Sequence, residues 1–377
     1  MGTIFDYLDW RGDIPFAQVP LNPVDALILS TLAYVHFQDL VPQRPGPGVP
    51  LAQAAQAFLS LPESSTEDRV RCDNDRKLLR ALMDAPRFSG LTLTFHQDIF
   101  SPQRETQFAA LAIRVSQAET FLAFRGTDST LVGWKEDFNM SFLDTVPAQQ
   151  AALDYLTAWV AHSPGPVILG GHSKGGNLAV YAAALASPTV RDRVKAVYNN
   201  DGPGFTKKVL TAPGYLELIP RIHSFVPQSS VVGMLLEHED PYTVIKSRQL
   251  GIFQHDPYSW EVQGGGFLVV DQVTQGSRKL DQTVKTWLDA LTPTDREVFL
   301  DGLYQALAGT QARSLDDLAQ PKNLYTVFQG LTRLDEGTRT SIARTLGLLA
   351  KSAAGVLLDD DSSQMSSKLC EKDRIIF

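Results

Sequence analysis

A serine flanked by glycines has the setting of a nucleophile in this chain. Residues Gly171-His172-Ser173-Lys174-Gly175 form the pattern G-x-S-x-G, with an apolar, β-branched run before it (Val167–Leu169) and an alanine-rich stretch after it (Leu178–Ala186). This order predicts a strand, a sharp turn and a helix, which would expose Ser173 at the carboxyl end of a sheet. Glycine-rich strand–helix turns also bind phosphates or merely turn the chain, and these remain the alternatives.

Such a serine needs a base, and a histidine downstream is expected to supply it. His255 follows a late predicted strand in a loop, where this chemistry places its base, so we predict that His255 fills the role. His223 lies inside an apolar strand and is interpreted as a packing residue, whereas His238 belongs to a charged cluster that favours a solvated face. His172, beside the serine, is interpreted as packing within the turn.

An acid must hold the base in one tautomer. Asp201 ends the strand that follows the predicted helix, 28 residues after Ser173, and the glycines and proline after it make a tight loop. We predict that Asp201 is the acid, with an aspartate serving only its turn as the alternative. Asp240 is the second candidate, and Asp256 is too close to His255 in sequence to be preferred.

An oxyanion hole needs two donors near the serine. The first is the N–H of Lys174, at the predicted start of the helix, and the second is Thr127 in the loop after an earlier strand. Gly126 allows this loop a close approach, and Arg125 is expected to hold it by pairing with an internal carboxylate, for which Asp137 is one candidate. The alternative is an ordinary strand-end turn with a surface ion pair.

Strands and helices alternate through the middle of the chain, the pattern of a mostly parallel sheet covered by helices. The expected helix between the third strand and Ser173 covers Ala148–Ala161. The expected strands are Leu91–Phe95, Phe108–Val115, Thr120–Phe124, Val167–Leu169, Val194–Asn199, Ile222–Val226, Thr243–Lys246 and Phe267–Val270.

Helical patterns dominate both ends of the chain. Before the sheet, helices are expected at Ala26–Phe37, Leu51–Leu59 and Arg76–Met83. After it, the spacing of apolar residues predicts helices from Leu280, from Thr292, at Leu324–Leu331 and at Ile342–Leu349. We therefore divide the chain into an N-terminal helical segment packed on the core (1–85), an α/β core (86–275), a C-terminal helical region (276–358) and a disordered tail (359–377). The C-terminal helical region is interpreted either as a lid or as a structural appendage.

Composition excludes several classes of function. The chain of 377 residues has 34 basic and 42 acidic residues, a net charge of −8 and no basic stripe, which argues against nucleic acid as a partner. Its two cysteines, Cys72 and Cys370, are far apart and predict neither a disulfide nor a metal site. No signal peptide or membrane span is recognised, so we expect a cytoplasmic protein without cofactor or metal. Transient contact with a membrane surface and the oligomeric state stay open.

Several longer motifs resemble those of known hydrolases. Phe124-Arg125-Gly126-Thr127-Asp128, Gly133-Trp134, Asp137-Phe138 and Gly171–Gly176 are similar to the class 3 lipase signature. The chain more closely resembles a lipase-like bacterial family of unknown function within the α/β-hydrolase superfamily. The further motifs that carry this resemblance, over roughly residues 5–310, are Phe5–Asp13, Gly133–Met140 and Gln254-His255-Asp256-Pro257-Tyr258-Ser259-Trp260.

The resemblance implies an α/β-hydrolase fold and esterase chemistry, with Ser173 as nucleophile, Thr127 and the Lys174 N–H as oxyanion hole, and His255 as base. The chain departs from the class 3 pattern in two places. The stretch Val226–Val232, where those lipases carry their acid, has no carboxylate, so either Asp201 supplies it or the triad is incomplete. Lys174 also replaces a more usual apolar residue, and we expect it to alter what binds near the leaving group.

Together these patterns predict a serine hydrolase that cleaves a carboxylic ester through an acyl-enzyme. Its substrate class, an acyl lipid or a related apolar ester, rests on the resemblance alone. One alternative is an inactive binding or regulatory protein on the same scaffold, which the absent lipase acid motivates. Another is an acyltransferase or thioesterase with the same serine chemistry.

Overall fold

The computed structural model divides the chain into two compact units, residues 1–273 and 274–377. The structure describes residues 2–101, 103, 106–127, 136, 139–140, 143, 145–230, 232–292, 294–296, 298–299, 301–302, 326, 329–330, 332 and 334–352. Several predictions lie outside these residues: the motif around Gly133-Trp134, Asp128, Asp137 and Phe138, most of the helix at Leu324–Leu331, and the tail from Asp359.

The first unit is built on a mixed sheet of eight strands that are neighbours in the order of the chain. The first four strands pair antiparallel, and each pair from the fourth strand to the eighth is parallel. The strands are β1 (Val49–Pro50), β2 (Thr92–Ser101), β3 (Thr106–Arg114), β4 (Thr120–Phe124), β5 (Val167–His172), β6 (Val194–Asn200), β7 (Ile222–Pro227) and β8 (Tyr242–Ile245). A separate hairpin joins β9 (Val262–Gln263) to β10 (Gly266–Phe267).

Alternating side chains of the central strands enter two separate hydrophobic cores. In β4, Phe121 and Ala123 pack on one face of the sheet, and Leu122 and Phe124 pack on the other. All five residues of this strand are buried. A strand covered on both faces reads as a continuous apolar run, which is why the sequence between Thr120 and Phe124 lacks polar alternation.

Helices cover both faces of this sheet, as expected for an α/β fold. The helices of the first unit are α1 (Ile4–Arg11), α2 (Pro23–Leu32), α3 (Leu51–Leu59), α4 (Asp73–Asp84), α5 (Pro86–Ser89), α6 (Pro147–His162), α7 (Lys174–Leu185), α8 (Pro188–Arg191), α9 (Lys207–Leu210) and α10 (Pro213–Leu218). Nearly every residue of α7 is buried, because its run of small side chains lets the helix lie close to the sheet.

The helix that was expected to reach Phe37 is shorter. It ends at Leu32, and Ala33 and Tyr34 donate from their N–H groups to carbonyls three residues back, at 3.3 and 3.1 Å. The His36 N–H then donates to the carbonyl of Arg69, a residue distant in sequence, at 2.9 Å. The apolar run therefore continues beyond the helix as a tight turn, which brings the buried Tyr34 towards the carboxyl end of β5.

A buried ion pair joins the N-terminal elements to one another. Arg87 and Asp25 meet at 2.6 Å with both side chains fully excluded from solvent. The Tyr7 hydroxyl donates to the same carboxylate at 2.8 Å, and Arg87 lies over the Phe16 ring, 3.9 Å from its centroid. Such a charge is tolerated only because its donors and acceptors are satisfied.

Most of the described residues of the second unit are helical. It begins with α11 (Gln275–Asp289), and residues 336–352 are also helical. Trp287 is buried within this unit, donates from its indole N–H to the Thr345 carbonyl at 2.9 Å, and packs edge-on against Phe299. In the described part of the chain, every helix is too short or too polar to cross a membrane.

Candidate active site

Ser173 occupies a strained turn between β5 and α7. Its φ of 60° and ψ of −136° lie in a region that residues other than glycine rarely adopt. The Ser173 N–H donates to the Asn200 carbonyl at the end of β6, at 2.9 Å. Ser173 is therefore held at the carboxyl end of two neighbouring parallel strands, in the geometry typical of a nucleophile elbow.

The glycines of the turn are required by close backbone contact. A Cβ on Gly171 would lie 2.1 Å from the carbonyl carbon of Gly175, and a Cβ on Gly175 would lie 2.1 Å from the Phe124 carbonyl oxygen. Both distances are far below van der Waals contact with backbone atoms that cannot move independently. Glycine at these positions is what allows the turn to fit against β4.

Asp201 and His255, which are 54 residues apart, meet beside this turn. His255 donates from Nδ1 to Oδ2 of Asp201 at 2.6 Å. Asp201 follows β6 directly, has a φ of 55° and is fully buried, and its second carboxylate oxygen accepts from the Ser230 hydroxyl at 2.5 Å. A carboxylate on Nδ1 fixes the proton there, so Nε2 of His255 is the nitrogen that can accept a proton.

The other candidate acids have different partners. Asp240 accepts from the hydroxyls of Tyr215 and Ser224, at 2.6 and 2.5 Å. Asp256 forms an ion pair with Arg71 at 3.1 Å. The structure thus brings His255 to Asp201 and gives Asp240 and Asp256 other contacts.

The other candidate histidines make packing contacts with aromatic rings. His223 stacks on Tyr198, with the ring centroids 5.0 Å apart. His238 lies edge-on to Tyr242, with a centroid separation of 6.5 Å.

His172 has a partner on each ring nitrogen. Its Nε2 lies 2.7 Å from the main-chain carbonyl oxygen of His255, and its Nδ1 lies 2.9 Å from the Tyr34 hydroxyl. Because a carbonyl only accepts, Nε2 carries the proton and Nδ1 accepts from Tyr34. Complete burial lowers the pKa of His172 well below its usual value, which keeps the ring neutral. The sequence pattern indicated packing in the turn, but it gave no sign of this link to His255.

The loop after β4 passes directly over the serine turn. A Cβ on Gly126 would lie 3.0 Å from the Ser173 Cβ and 2.5 Å from the His172 carbonyl oxygen. Thr127 follows in the chain and is half-buried. Lys174 begins α7, so its N–H lies at the positive end of the helix dipole. Both segments that were expected to stabilise an oxyanion therefore border Ser173.

Arg125 anchors this loop through Asp98, a carboxylate on β2 that the sequence analysis did not consider. The guanidinium donates to both Asp98 oxygens at 3.2 and 3.3 Å, and His36 pairs with the same carboxylate. Burial alone would raise the pKa of Asp98, but the His36 hydrogen bond and the Arg125 charge outweigh it and lower that pKa to about 2. Asp137, the expected partner, lies outside the described residues.

The Lys174 side chain is buried in the core, although it was expected to affect what binds near the leaving group. It is 1% exposed and pairs with the fully buried Glu136 at 2.9 Å, while its Nζ also donates to the Gln107 carbonyl at 3.1 Å. Glu136 in turn accepts from the Ala148 N–H at the start of α6, at 2.9 Å. The expectation that this lysine alters binding near a leaving group is therefore wrong: its charge is neutralised in the core, because a buried ammonium requires a partner.

The segment that carries His255 consists of two short 3₁₀ turns, Gly251–His255 and Pro257–Ser259, and is held by the N-terminal elements. The Tyr258 hydroxyl donates to Asp75 of α4 at 2.7 Å, next to the ion pair of Asp256 described above. Two large apolar side chains at the start of this segment are exposed: Leu250, just before the first turn, by 80%, and Phe253, within it, by 68%. Among the described residues, no group of histidine, cysteine or carboxylate side chains is arranged to hold a metal ion.

Comparisons with known proteins place the chain in a family. The sequence model of the family described as Mbeg1-like matches residues 82–305, which is more than half of the chain. Among solved structures, M37 lipase aligns with a TM-score of 0.37 and 14% identity, over 56% of this chain and 69% of the lipase. A Rhizomucor miehei lipase in complex with its propeptide aligns with a TM-score of 0.31 and 14% identity, over 50% of this chain and 72% of the lipase. A search of the curated proteins returned no match.

Proposed function

The chain belongs to the Mbeg1-like family, and for this member we propose a serine hydrolase of the α/β-hydrolase fold that cleaves carboxylic esters. The observation that carries the proposal is the contact of His255 Nδ1 with Asp201 at 2.6 Å beside a serine held at a φ of 60°. A nucleophile, a base and an acid in this chain order are the components of acyl transfer.

In the first step, the Ser173 oxygen attacks the ester carbonyl carbon while Nε2 of His255 takes the serine proton. Asp201 holds the Nδ1 proton and stabilises the imidazolium that forms. Negative charge develops on the carbonyl oxygen, and the Lys174 N–H with Thr127 stabilises it. The ester C–O bond then breaks, His255 returns the proton to the leaving alcohol, and Ser173 carries the acyl group.

In the second step, water attacks the acyl-enzyme. His255 takes a proton from the water, the bond from the acyl carbon to the Ser173 oxygen breaks, and the proton passes to Ser173. The products are a carboxylic acid and the free enzyme. Because the Lys174 ammonium is paired with Glu136 in the core, it supplies no free charge to a bound substrate.

An apolar acyl group is the substrate class that the surface next to His255 supports. Leu250 and Phe253 are exposed by 80% and 68% on the segment that ends in the proposed base. Exposed apolar side chains on the segment that carries the proposed base are positioned to contact an apolar acyl chain. We therefore extend the proposal to acyl lipids and related esters with long chains.

The inactive alternative was motivated by the absence of a carboxylate in Val226–Val232. Asp201 removes that motivation, because its carboxylate contacts the histidine from the neighbouring strand end. An acyltransferase or thioesterase would use the same residues and differ only in the acceptor or in the leaving group. No contact in the described residues favours either over ester hydrolysis.

Hydrolysis of p-nitrophenyl esters of increasing chain length tests the proposal, with Ser173→Ala and His255→Ala as variants. We expect the wild type to be active and each variant to lose roughly 10³- to 10⁶-fold in kcat. The double variant should lose little more than either single one, because the two residues act as a unit.

A fluorophosphonate probe provides the control, because it reports on the serine without a substrate. Labelling of the wild type but not of Ser173→Ala is expected. A wild type that neither hydrolyses the esters nor reacts with the probe would make the non-catalytic alternative correct. Faster acyl transfer to added alcohol or from a thioester would instead identify a transferase or thioesterase.

A further inference from the structure

The main chain at His255 lies at the end of a short 3₁₀ turn and outside the helices and strands of the fold. The residue ends one 3₁₀ turn and lies two residues before the next, outside the eight-stranded sheet. Its side chain is fixed at Nδ1 by Asp201, but a single contact leaves the ring free to swing about that oxygen. Something else must determine where Nε2 lies relative to Ser173.

The carbonyl of His255 is held by the histidine adjacent to the serine. Nε2 of His172 donates to it at 2.7 Å, and the two imidazole rings lie 4.6 Å apart at a tilt of 36°. His172 is the last residue of β5, so its position is set by the same backbone that positions Ser173. The contact therefore ties the proposed base to the strand that carries the proposed nucleophile.

Tyr34 meets the other ring nitrogen of His172. The His255 carbonyl only accepts and so holds the ring proton on Nε2, which leaves Nδ1 to accept from the Tyr34 hydroxyl 2.9 Å away. The Tyr34 ring is covered by the Arg71 guanidinium, 5.0 Å from the ring centroid, and Arg71 pairs with Asp256, the residue after His255. Arg71 therefore links Tyr34 to the loop that carries His255.

We propose that Tyr34 and His172 form a positioning relay, which holds the main chain at His255 and so sets the distance between base and nucleophile. The inference rests on the proposed function and adds residues to it. Both act here through the main chain of His255, and Tyr34 lies in the part of the chain that precedes the family match at residue 82. The N-terminal segment is then part of the active-site structure.

Two variants of similar volume separate positioning from packing: His172→Gln, which keeps an N–H donor, and His172→Met, which does not. We expect His172→Met to lower kcat for a p-nitrophenyl ester roughly ten- to hundredfold at nearly unchanged KM, and His172→Gln to recover much of that loss. Tyr34→Phe should lower kcat by a smaller factor. The control is Tyr155→Phe. The Tyr155 hydroxyl donates to the Phe95 carbonyl at 2.6 Å, and this hydrogen bond involves neither Tyr34 nor His172.

A nuclear magnetic resonance measurement detects the position of His255 without a substrate. The proton shared between His255 Nδ1 and Asp201 gives a resonance at low field, and we expect it in the wild type and in His172→Gln but not in His172→Met. Equal rates and an unchanged resonance in His172→Met would overturn the relay. Should the wild type hydrolyse no ester, the proposed function fails, and the resonance alone decides the relay: its loss in His172→Met supports it, and its persistence overturns it.

Discussion

At the scale of single residues, the two aspartates that were candidates for the acid differ in what they contact. Asp201 contacts an imidazole, whereas Asp240 contacts two hydroxyls, of Tyr215 and Ser224. Both carboxylates are buried, so burial does not distinguish them. Of the two, only Asp201 contacts Nδ1, where an acceptor selects the tautomer of His255 that the proposed mechanism requires.

Replacing Asp201 by asparagine should therefore stop catalysis without removing the side chain. The amide would present a donor to Nδ1 and favour the wrong tautomer, and we expect kcat to fall about 10⁴-fold. Asp240→Asn is the matched control and should keep kcat within a few fold, while its buried hydroxyl partners make it less stable by about 1–3 kcal/mol. Ester hydrolysis and urea unfolding of both variants check this, and the reverse ranking of the two kcat values would assign the acid to Asp240.

The nature of these residues explains how much of the site the sequence could predict. Ser173 stands in a five-residue motif with a strand before it and a helix after it, and these are local signals. The sequence placed Asp201 at the end of one strand and His255 in a loop after a later strand, but their contact joins residues 54 positions apart. The Tyr34 contact with His172 spans 138 positions and carries no motif, so the sequence offered no signal for it.

At the scale of elements, the buried pair of Lys174 and Glu136 links three parts of the fold. Lys174 begins α7, it donates to the carbonyl of Gln107 in β3, and Glu136 accepts from the first turn of α6. Lys174 stood out in the sequence because class 3 lipases usually have an apolar residue at this position. Its burial could not be anticipated, because it depends on a carboxylate 38 positions away.

Removing only the lysine charge should destabilise the protein strongly. Lys174→Met leaves Glu136 buried and uncompensated, which costs about 3–5 kcal/mol of unfolding free energy, and adding Glu136→Gln should restore at least half. Lys195→Met is the matched control, because its pair with Glu119 is at the surface and contributes at most about 1 kcal/mol. Urea unfolding measures all three, and a similar small loss in Lys174→Met and Lys195→Met would contradict the prediction.

The segment before His255 should affect apolar substrates selectively. Leu250→Ser combined with Phe253→Ser removes exposed apolar surface, and we expect a roughly tenfold slower hydrolysis of long-chain esters with little change for p-nitrophenyl acetate. Leu216→Ser on α10 is the control, since this leucine is also exposed, by 53%. An equal loss on short and long chains would indicate a change in the catalytic residues instead of lost contact with the acyl group.

At the scale of the whole molecule, most strand positions and the α/β class could be predicted because the apolar runs of the sheet are strong local signals. Leu51–Leu59 is a helix with the predicted bounds, and Thr120–Phe124 is a strand with the predicted bounds. The end of α2 could not be predicted, because the apolar run continues past Leu32 into a turn that the Arg69 carbonyl stabilises. An apolar run predicts that a segment is buried, but it does not predict the residue at which a buried helix ends and the chain turns.

Buried histidines should make the folded state sensitive to acid. Burial lowers the pKa of His96 to about 4, although the Asp98 charge opposes this, whereas an unfolded chain has an ordinary histidine near 6.5. The unfolded state therefore binds more protons between these values, and stability is complete above pH 6.5 and falls as the pH drops towards 4. From pH 7 to pH 5 the loss from His96 is about 2 kcal/mol.

Urea unfolding at pH 7 and pH 5 checks this for the wild type and His96→Phe. The variant should lose less stability over that range, with the remaining slope coming from groups such as His172, whose pKa is also lowered by burial. An identical difference between the two pH values in both proteins would show that His96 is not the responsible group.

The contacts around His255 also determine when during synthesis the protein can become reactive. Asp75 and Arg71 meet Tyr258 and Asp256 across 183 and 185 residues of chain. A ribosome adds about 5–20 residues per second, so the N-terminal side of these contacts waits roughly 10–40 s for the other side to be made. The serine turn emerges during that interval without its histidine. Under the proposed mechanism, the active site is completed only when most of the chain has been translated, and a prematurely terminated product ending before residue 255 would carry Ser173 without the proposed base and should not hydrolyse esters.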